Sequence, residues 1–276
     1  KRGGVPTFLV LSRGQILFGK QFVERLNRKL DRTAADIQLE CQVVEVNRTS
    51  NSLTLVSPAL GKTEVTADAV IFASGAREKT RSERGWIAGR RPAREFYTMQ
   101  LLQLLDGCHA LPLEHPAILG SDLIAYSAAA KLGAAGSAEP SMFDRFARPK
   151  VGFVQRRYFA KWTRPVWHAS KGVAIEGDRS ATAVIQTVGK GITQSHPCDG
   201  VVISGELVSN SELIVAAGLD AAGRTPICDR RNVLSESGWF IAGGAIGGFR
   251  GADWCYRDGR RAGAKAAAYL QRLSRS

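Results

Sequence analysis

Three times in this chain an apolar run ends in glycine and small residues: at Ile71–Ala76, Ile118–Ala125 and Phe240–Gly248. The clearest is Ala69-Val70-Ile71-Phe72-Ala73, five apolar residues in a row that lead straight into Ser74-Gly75-Ala76. An unbroken run of this kind marks a parallel strand covered on both faces, because a half-exposed strand would alternate. A glycine turn at its end lets backbone approach a ligand closely. A helix that follows points the positive end of its dipole at a phosphate. One such strand and turn is weak; three in series restrict the chain to an α/β fold with nucleotide-type turns.

The remaining pattern agrees. Lys20 to Leu30 places Phe22, Val23, Leu26 and Leu30 on one helical face. Gln38–Asn47, Leu53–Val56 and Glu64–Thr66 read as a small antiparallel meander, and Val5–Leu11 as a short apolar strand. After Ala117-Ile118-Leu119 and the turn Gly120-Ser121-Asp122, an alanine-rich helix is expected over 123–135, with Gly136 ending it. Strands are expected at 141–144, 172–176, 181–188, 200–204 and 239–242, and a final helix over 253–270.

Composition narrows the classes. With 276 residues, 44% hydrophobic and 23% charged, the chain is globular and long enough for one large domain or two interleaved ones. Uncharged apolar runs fall short of the roughly 18 residues that span a bilayer. Lys1 to Pro6 resembles neither a signal nor a transit peptide. The cytoplasm is the expected location, with the inner face of the membrane as a peripheral alternative. Five cysteines without a C-x-x-C, and four histidines without metal spacing, predict neither a disulfide framework nor a metal site.

A net charge of +13 is spread along the chain with one exception. From Arg145 to Lys171 there are eight basic residues, no acidic ones and six aromatics. Such interleaving suits stacked nucleic acid. The signatures of the common nucleic-acid folds are missing, so nucleic acid is not the expected partner.

Asp68 to Lys79, D-A-V-I-F-A-S-G-A-R-E-K, resembles a segment of the two-dinucleotide-binding flavoproteins, the pyridine nucleotide–disulfide oxidoreductase superfamily. Gly238 to Gly248, G-W-F-I-A-G-G-A-I-G-G, is similar to their late flavin motif, and Cys198 to Leu213 to a third segment. The strand and helix after Ala117 occupy the position of the inserted second Rossmann unit. Within the superfamily the chain most resembles the FAD subunits of dye-linked dehydrogenases of the opine oxidase and hydrogen cyanide synthase type.

The resemblance implies a doubly wound, Rossmann-like FAD-binding domain in two parts, residues 1–112 and 201–276, with an inserted Rossmann-like NAD(P)-type domain at 113–200. It implies FAD as cofactor, held by Gly14, Gln15, Val43, Ala73, Ser74, Gly75, Gly243, Gly244, Gly251 and Ala252. Trp254 and Tyr256 are either on the substrate side or packed in the core. No residue stands out as catalytic.

Departures weigh on these expectations. The first strand with its G-x-G-x-x-G turn is not found, which would leave a hole beside a central strand. Asp122 stands where a glycine is expected and would repel a pyrophosphate, unless it simply caps its helix. NAD(P) binding is therefore not expected. Gly244 replaces an Asp or Asn, removing a hydrogen bond of about 1 kcal/mol. The sequence thus implies a FAD-dependent dehydrogenase subunit of a hetero-oligomer, oxidising a small amine, amino or imino acid and passing electrons to a non-NAD acceptor. The alternative is a non-catalytic scaffold with decayed nucleotide sites, for which 145–171 would be a docking surface.

Overall fold

A computed structural model describes residues 10–12, 15–17, 19–108, 112–148, 151–159, 162–163, 166–167, 170–230, 232–234, 237–248 and 251–275. The chain divides into two units, one built on Glu78–Glu206 and the other on Leu9–Arg77 with Leu207–Ser276. They are called the inserted and the outer unit. By contacts the inserted unit begins at Glu78. Glu95–Tyr97 adds a strand to the inserted unit's sheet, and Leu101 of the Thr98–Cys108 helix packs in its core.

In the inserted unit, Pro116–Leu119 is the middle strand of a five-stranded parallel sheet. Ser141–Phe143 and then Val166–Trp167 lie on one side, Gly200–Ile203 and then Glu95–Tyr97 on the other. All four residues of Pro116–Leu119 and of Gly200–Ile203 are buried, as unbroken apolar runs require in a parallel sheet covered on both faces. On one face lies the Leu123–Ala134 helix. Its Ala125, Ala128, Ala129 and Leu132 are fully buried with Leu113, Ile118, Met142 and Val202. Its small side chains let it lie close to the sheet. Gly136, with φ +106°, follows its last turn, where a residue with a Cβ would be strained.

On the other face, a second sheet runs in the order Thr193–Pro197, Ala183–Thr187, Gly172–Glu176, Ile87–Gly89. Its first three strands form an antiparallel meander; the last joins in parallel. Val173, Ile175 and Val184 from this sheet pack with Ala117, Leu119, Phe143, Val201 and Ile203.

The outer unit is slighter. Gln42–Asn47, Ser52–Ser57 and Gly61–Thr66 form the expected meander. Val70–Phe72 pairs in parallel with Trp239–Ile241, and among the described residues this sheet has two strands only. Phe72 stacks on Trp239 with centroids 5.9 Å apart, and both join Val46, Ile214 and Ile241 in the core. Ile71, in the middle of the apolar run, is 39% exposed. Most of the expected Val5–Leu11 strand lies outside the described residues; Val10–Ser12 forms a hairpin with Gln15–Leu17. Ala252–Leu273 closes the unit with a 22-residue helix, four residues longer than expected, that buries Asp258, Ala262 and Ala266.

The described aromatics of the basic segment divide between core and surface. Phe159 is buried 5.8 Å from the Tyr126 ring, and Trp162 packs against the same core. Phe146 lies under the Arg145 guanidinium, and Phe153 is exposed. The side chains of Tyr158 and Trp167 lie outside the described residues.

Candidate functional site

Two groups of glycine turns meet in the outer unit. Gly75 ends the Val70–Phe72 strand with φ +77°, and the position a Cβ would take there is open space. Ala73 and Ser74 beside it are exposed. Asn210 holds this turn in place: its backbone N–H donates to Gly75 O at 3.1 Å, and Ser74 Oγ donates to Asn210 O at 2.6 Å. Gly244 closes against it, since a Cβ at 244 would stand 3.1 Å from Ala76 N. Gly243 has φ +67° and lies over Cys255, one turn into the long helix. Gly251 caps that helix without a side-chain hydrogen bond, so the amide end of 22 residues is not closed by its cap residue.

The structure therefore brings together Ala73, Ser74, Gly75, Gly243, Gly244, Gly251 and Ala252 from the expected set. Val43, whose strand backbone the resemblance places at the adenine, lies in the Gln42–Asn47 strand. Its side chain packs into the core with Val46 and Phe72. Gln15 is in the first hairpin, and Gly14 lies outside the described residues. Trp254 is 54% exposed with Arg257 over its ring, which corrects the core alternative for this residue. Tyr256 packs edge-on to Phe22 and receives a hydrogen bond from Lys29 Nζ at 3.2 Å.

Asn210 was not legible as a site residue. Its one signal was the N-S-E-L stretch just before the Glu212–Ala216 helix. The closeness of Gly244 to Ala76 makes an Asp or Asn tight there, since its Cβ would press on the Ala76 backbone at 3.1 Å. As a cradle for flavin, the group fits in its glycines and its helix N-terminus, and lacks a carboxamide or carboxylate at 244.

The second site is at the carboxyl edge of the five-stranded sheet. Strand order runs outward in both directions from Pro116–Leu119, so the turn after it is the topological switch point, where open α/β sheets bind ligands. That turn is Gly120-Ser121-Asp122. Asp122 caps the Leu123–Ala134 helix, with Oδ1 accepting the N–H of Ile124 at 3.1 Å and of Ala125 at 3.0 Å. Ser121 Oγ donates to Asp144, and Phe146 N–H donates to Asp144 Oδ1 at 3.0 Å. Gly205, with φ +77°, lies so close to Asp122 that a Cβ would overlap its carboxylate.

Arg84 secures the opposite wall. Its guanidinium donates to Ser204 O at 2.6 Å and Gly205 O at 2.8 Å. Burial lowers its pKa, and the charges of Glu206, Glu78 and Asp122 resist that. Lys79 and Arg145 both pair with Glu206, at 3.4 and 3.2 Å. Among the described residues, no group of three or more His, Cys, Asp or Glu could hold a metal. Cys198 is buried, which pushes its thiol up to about 11 and makes it a poor nucleophile. No described helix is long and apolar enough to cross a membrane.

No protein-family profile matches this chain, and no curated protein does. Solved structures do. Thioredoxin reductase from T. acidophilum is 18% identical with a TM-score of 0.77, over 96% of this chain and 85% of that one. Lactococcus lactis thioredoxin reductase is 15% identical with a TM-score of 0.73, over 98% and 89%. A FAD-dependent pyridine nucleotide-disulphide oxidoreductase from Desulfovibrio vulgaris is 18% identical with a TM-score of 0.70, over 91% and 68%. At this identity the likeness is one of fold. The chain has the α/β architecture of these two-domain oxidoreductases, a Rossmann-like outer unit with a second Rossmann-like unit inserted. A fold hosts many chemistries, so function has to come from the site.

Proposed function

We propose that the chain is a FAD-dependent oxidoreductase that keeps its flavin in the outer unit. The observation that carries this is the convergence of Gly75, Gly243 and Gly244 near the N-terminal end of a 22-residue helix. Bound FAD would supply two-electron acceptance from a C–H or C–N bond. The chain's own part is to bind and orient. The Gly75 turn gives close backbone approach, and the helix amides favour negative charge on the group facing them. Asn210 keeps the turn rigid.

The finer reading is oxidation of a small amine, amino or imino acid, with electrons passed to an acceptor other than NAD(P), by one subunit of a hetero-oligomer. The substrate class rests on the resemblance of the chain as a whole to dye-linked dehydrogenase subunits. The exclusion of NAD(P) rests on Asp122 filling the amide end of its own helix.

One observation favours the scaffold alternative, the tight closure of Gly244 on Ala76. The visible spectrum of the freshly purified chain, followed by heat release of flavin, separates the two. Stoichiometric FAD is the expected result. A colourless protein that takes up no added FAD would overturn the oxidoreductase reading for this chain.

A further inference from the structure

Three oxygen-rich side chains crowd the switch point of the inserted unit. Asp122, Asp144 and Glu206 all line a hollow there, with Trp86, Gly120, Ser121, Phe146 and Ser204. The hollow measures about 10 Å³, the size of a single water. Two buried groups around it have no hydrogen-bond partner among the described residues. Trp86 Nε1 belongs to a side chain 8% exposed, and Ser204 Oγ to one 1% exposed. An indole N–H is only a donor, so it calls for an acceptor oxygen in this space. The same is true of the helix amides, and there the acceptor is visible: Asp122 Oδ1 takes both N–H groups that a phosphate oxygen would take.

We propose that the Asp122 carboxylate is an internal stand-in for a ligand phosphate, and that this one residue closes the inserted unit to NAD(P) and to pyrophosphates generally. This deepens the reading that electrons leave by a route other than NAD(P), and rests on it. Two effects combine. The carboxylate fills the volume, since it already touches Gly205 across the crevice. Its charge, with Asp144 also lining the hollow, opposes a second anion. The cationic groups are committed elsewhere: Arg84 to carbonyl oxygens, Lys79 and Arg145 to Glu206. The inserted unit keeps the topology of a nucleotide domain and satisfies its helix end from within.

The test uses the purified full chain as wild type, Asp122→Gly and Asp122→Asn. Glycine removes both volume and charge; asparagine keeps the capping oxygen and removes the charge. NADH and NADPH binding is read by fluorescence titration, and pyrophosphate binding by thermal shift. Wild type is expected to show no saturation up to about 1 mM, and Asp122→Gly to bind at least about tenfold more tightly than wild type. Asp122→Asn is expected in between, and decides the matter if the glycine variant fails to fold by circular dichroism.

Saturable wild-type binding below that concentration overturns the proposal, as do folded variants that remain as silent as wild type. The flavin content of the same samples keeps the two readings apart. Protein that carries FAD and also binds NADH loses this inference alone. Protein without FAD that ignores NADH loses the oxidoreductase reading alone.

Discussion

Glu78 lies at the start of the inserted unit with its carboxyl under the Thr98–Cys108 helix, accepting the N–H of Thr98 at 3.2 Å and of Met99 at 2.9 Å. Burial raises its pKa, and these amides and Arg84 only partly offset that. A carboxyl whose folded pKa is raised favours folding while it is protonated, and that contribution is lost as pH rises through the folded pKa. Urea unfolding of wild type from pH 4 to 7 should therefore show a fall in stability that Glu78→Gln lacks. Equal slopes in the two proteins would refute the assignment. Arg81 and Arg84 share this residue-scale lesson. Both lie in the four-residue helix Arg81–Arg84, capped by Thr80 and Glu83, and both are buried. Arg81 bonds to carbonyl oxygens of Ile87, Arg90 and Gly89 and to Glu95 at 2.9 Å. In sequence, R-S-E-R reads as surface, because a charge goes inside only when several acceptors converge on it, and here they come from other segments.

At the scale of elements, length decided what could be read. The Leu123–Ala134 and Ala252–Leu273 helices and the continuous apolar strands carry enough periodic residues to be located to within a few positions. Ile87–Gly89 and Glu95–Tyr97 have three residues each, too few for a pattern, and their pairing partners are distant in sequence. Gly89 shows what such a strand requires. Its φ is +90°, and a Cβ there would overlap the Ile175 carbonyl and stand 2.8 Å from Ile175 N. Gly89→Ala should destabilise the inserted unit by about 2–4 kcal/mol, from the positive φ and the overlap together. Chemical denaturation followed by tryptophan fluorescence measures it; a change within about 0.5 kcal/mol, the range of an ordinary surface substitution, would mean that the strand does not lie against Ile175.

On the scale of the molecule, the two units differ in how well they are filled. The inserted unit has two cores built on fully buried aliphatic side chains. The outer unit contributes 14 of the 17 exposed large apolar side chains among the described residues, Ile71, Leu39 and Trp254 included. Apolar area left in water gives no stabilisation, at about 25 cal/mol per Å² forgone. Calorimetry should therefore show two transitions, the lower one from the outer unit. Added FAD should raise the lower one and leave the upper one in place. A single transition that FAD moves as a whole would contradict this assignment of stability and site.

Local pattern in the sequence was sufficient for the α/β class, the nucleotide-type turns, the meander and the capping role open to Asp122. These depend on neighbours within a few residues, where side-chain chemistry and backbone preference act directly. Tertiary structure alone decided that Gly244 closes on Ala76, that Asn210 holds Gly75, that Val43 turns into the core and that Arg84 faces Asp122 across the switch point. Each joins residues distant in sequence, whose distances follow from how sheets and helices pack. The same packing adds what the capping pattern does not contain: the Asp122 carboxylate lies against Gly205, a residue far away in sequence.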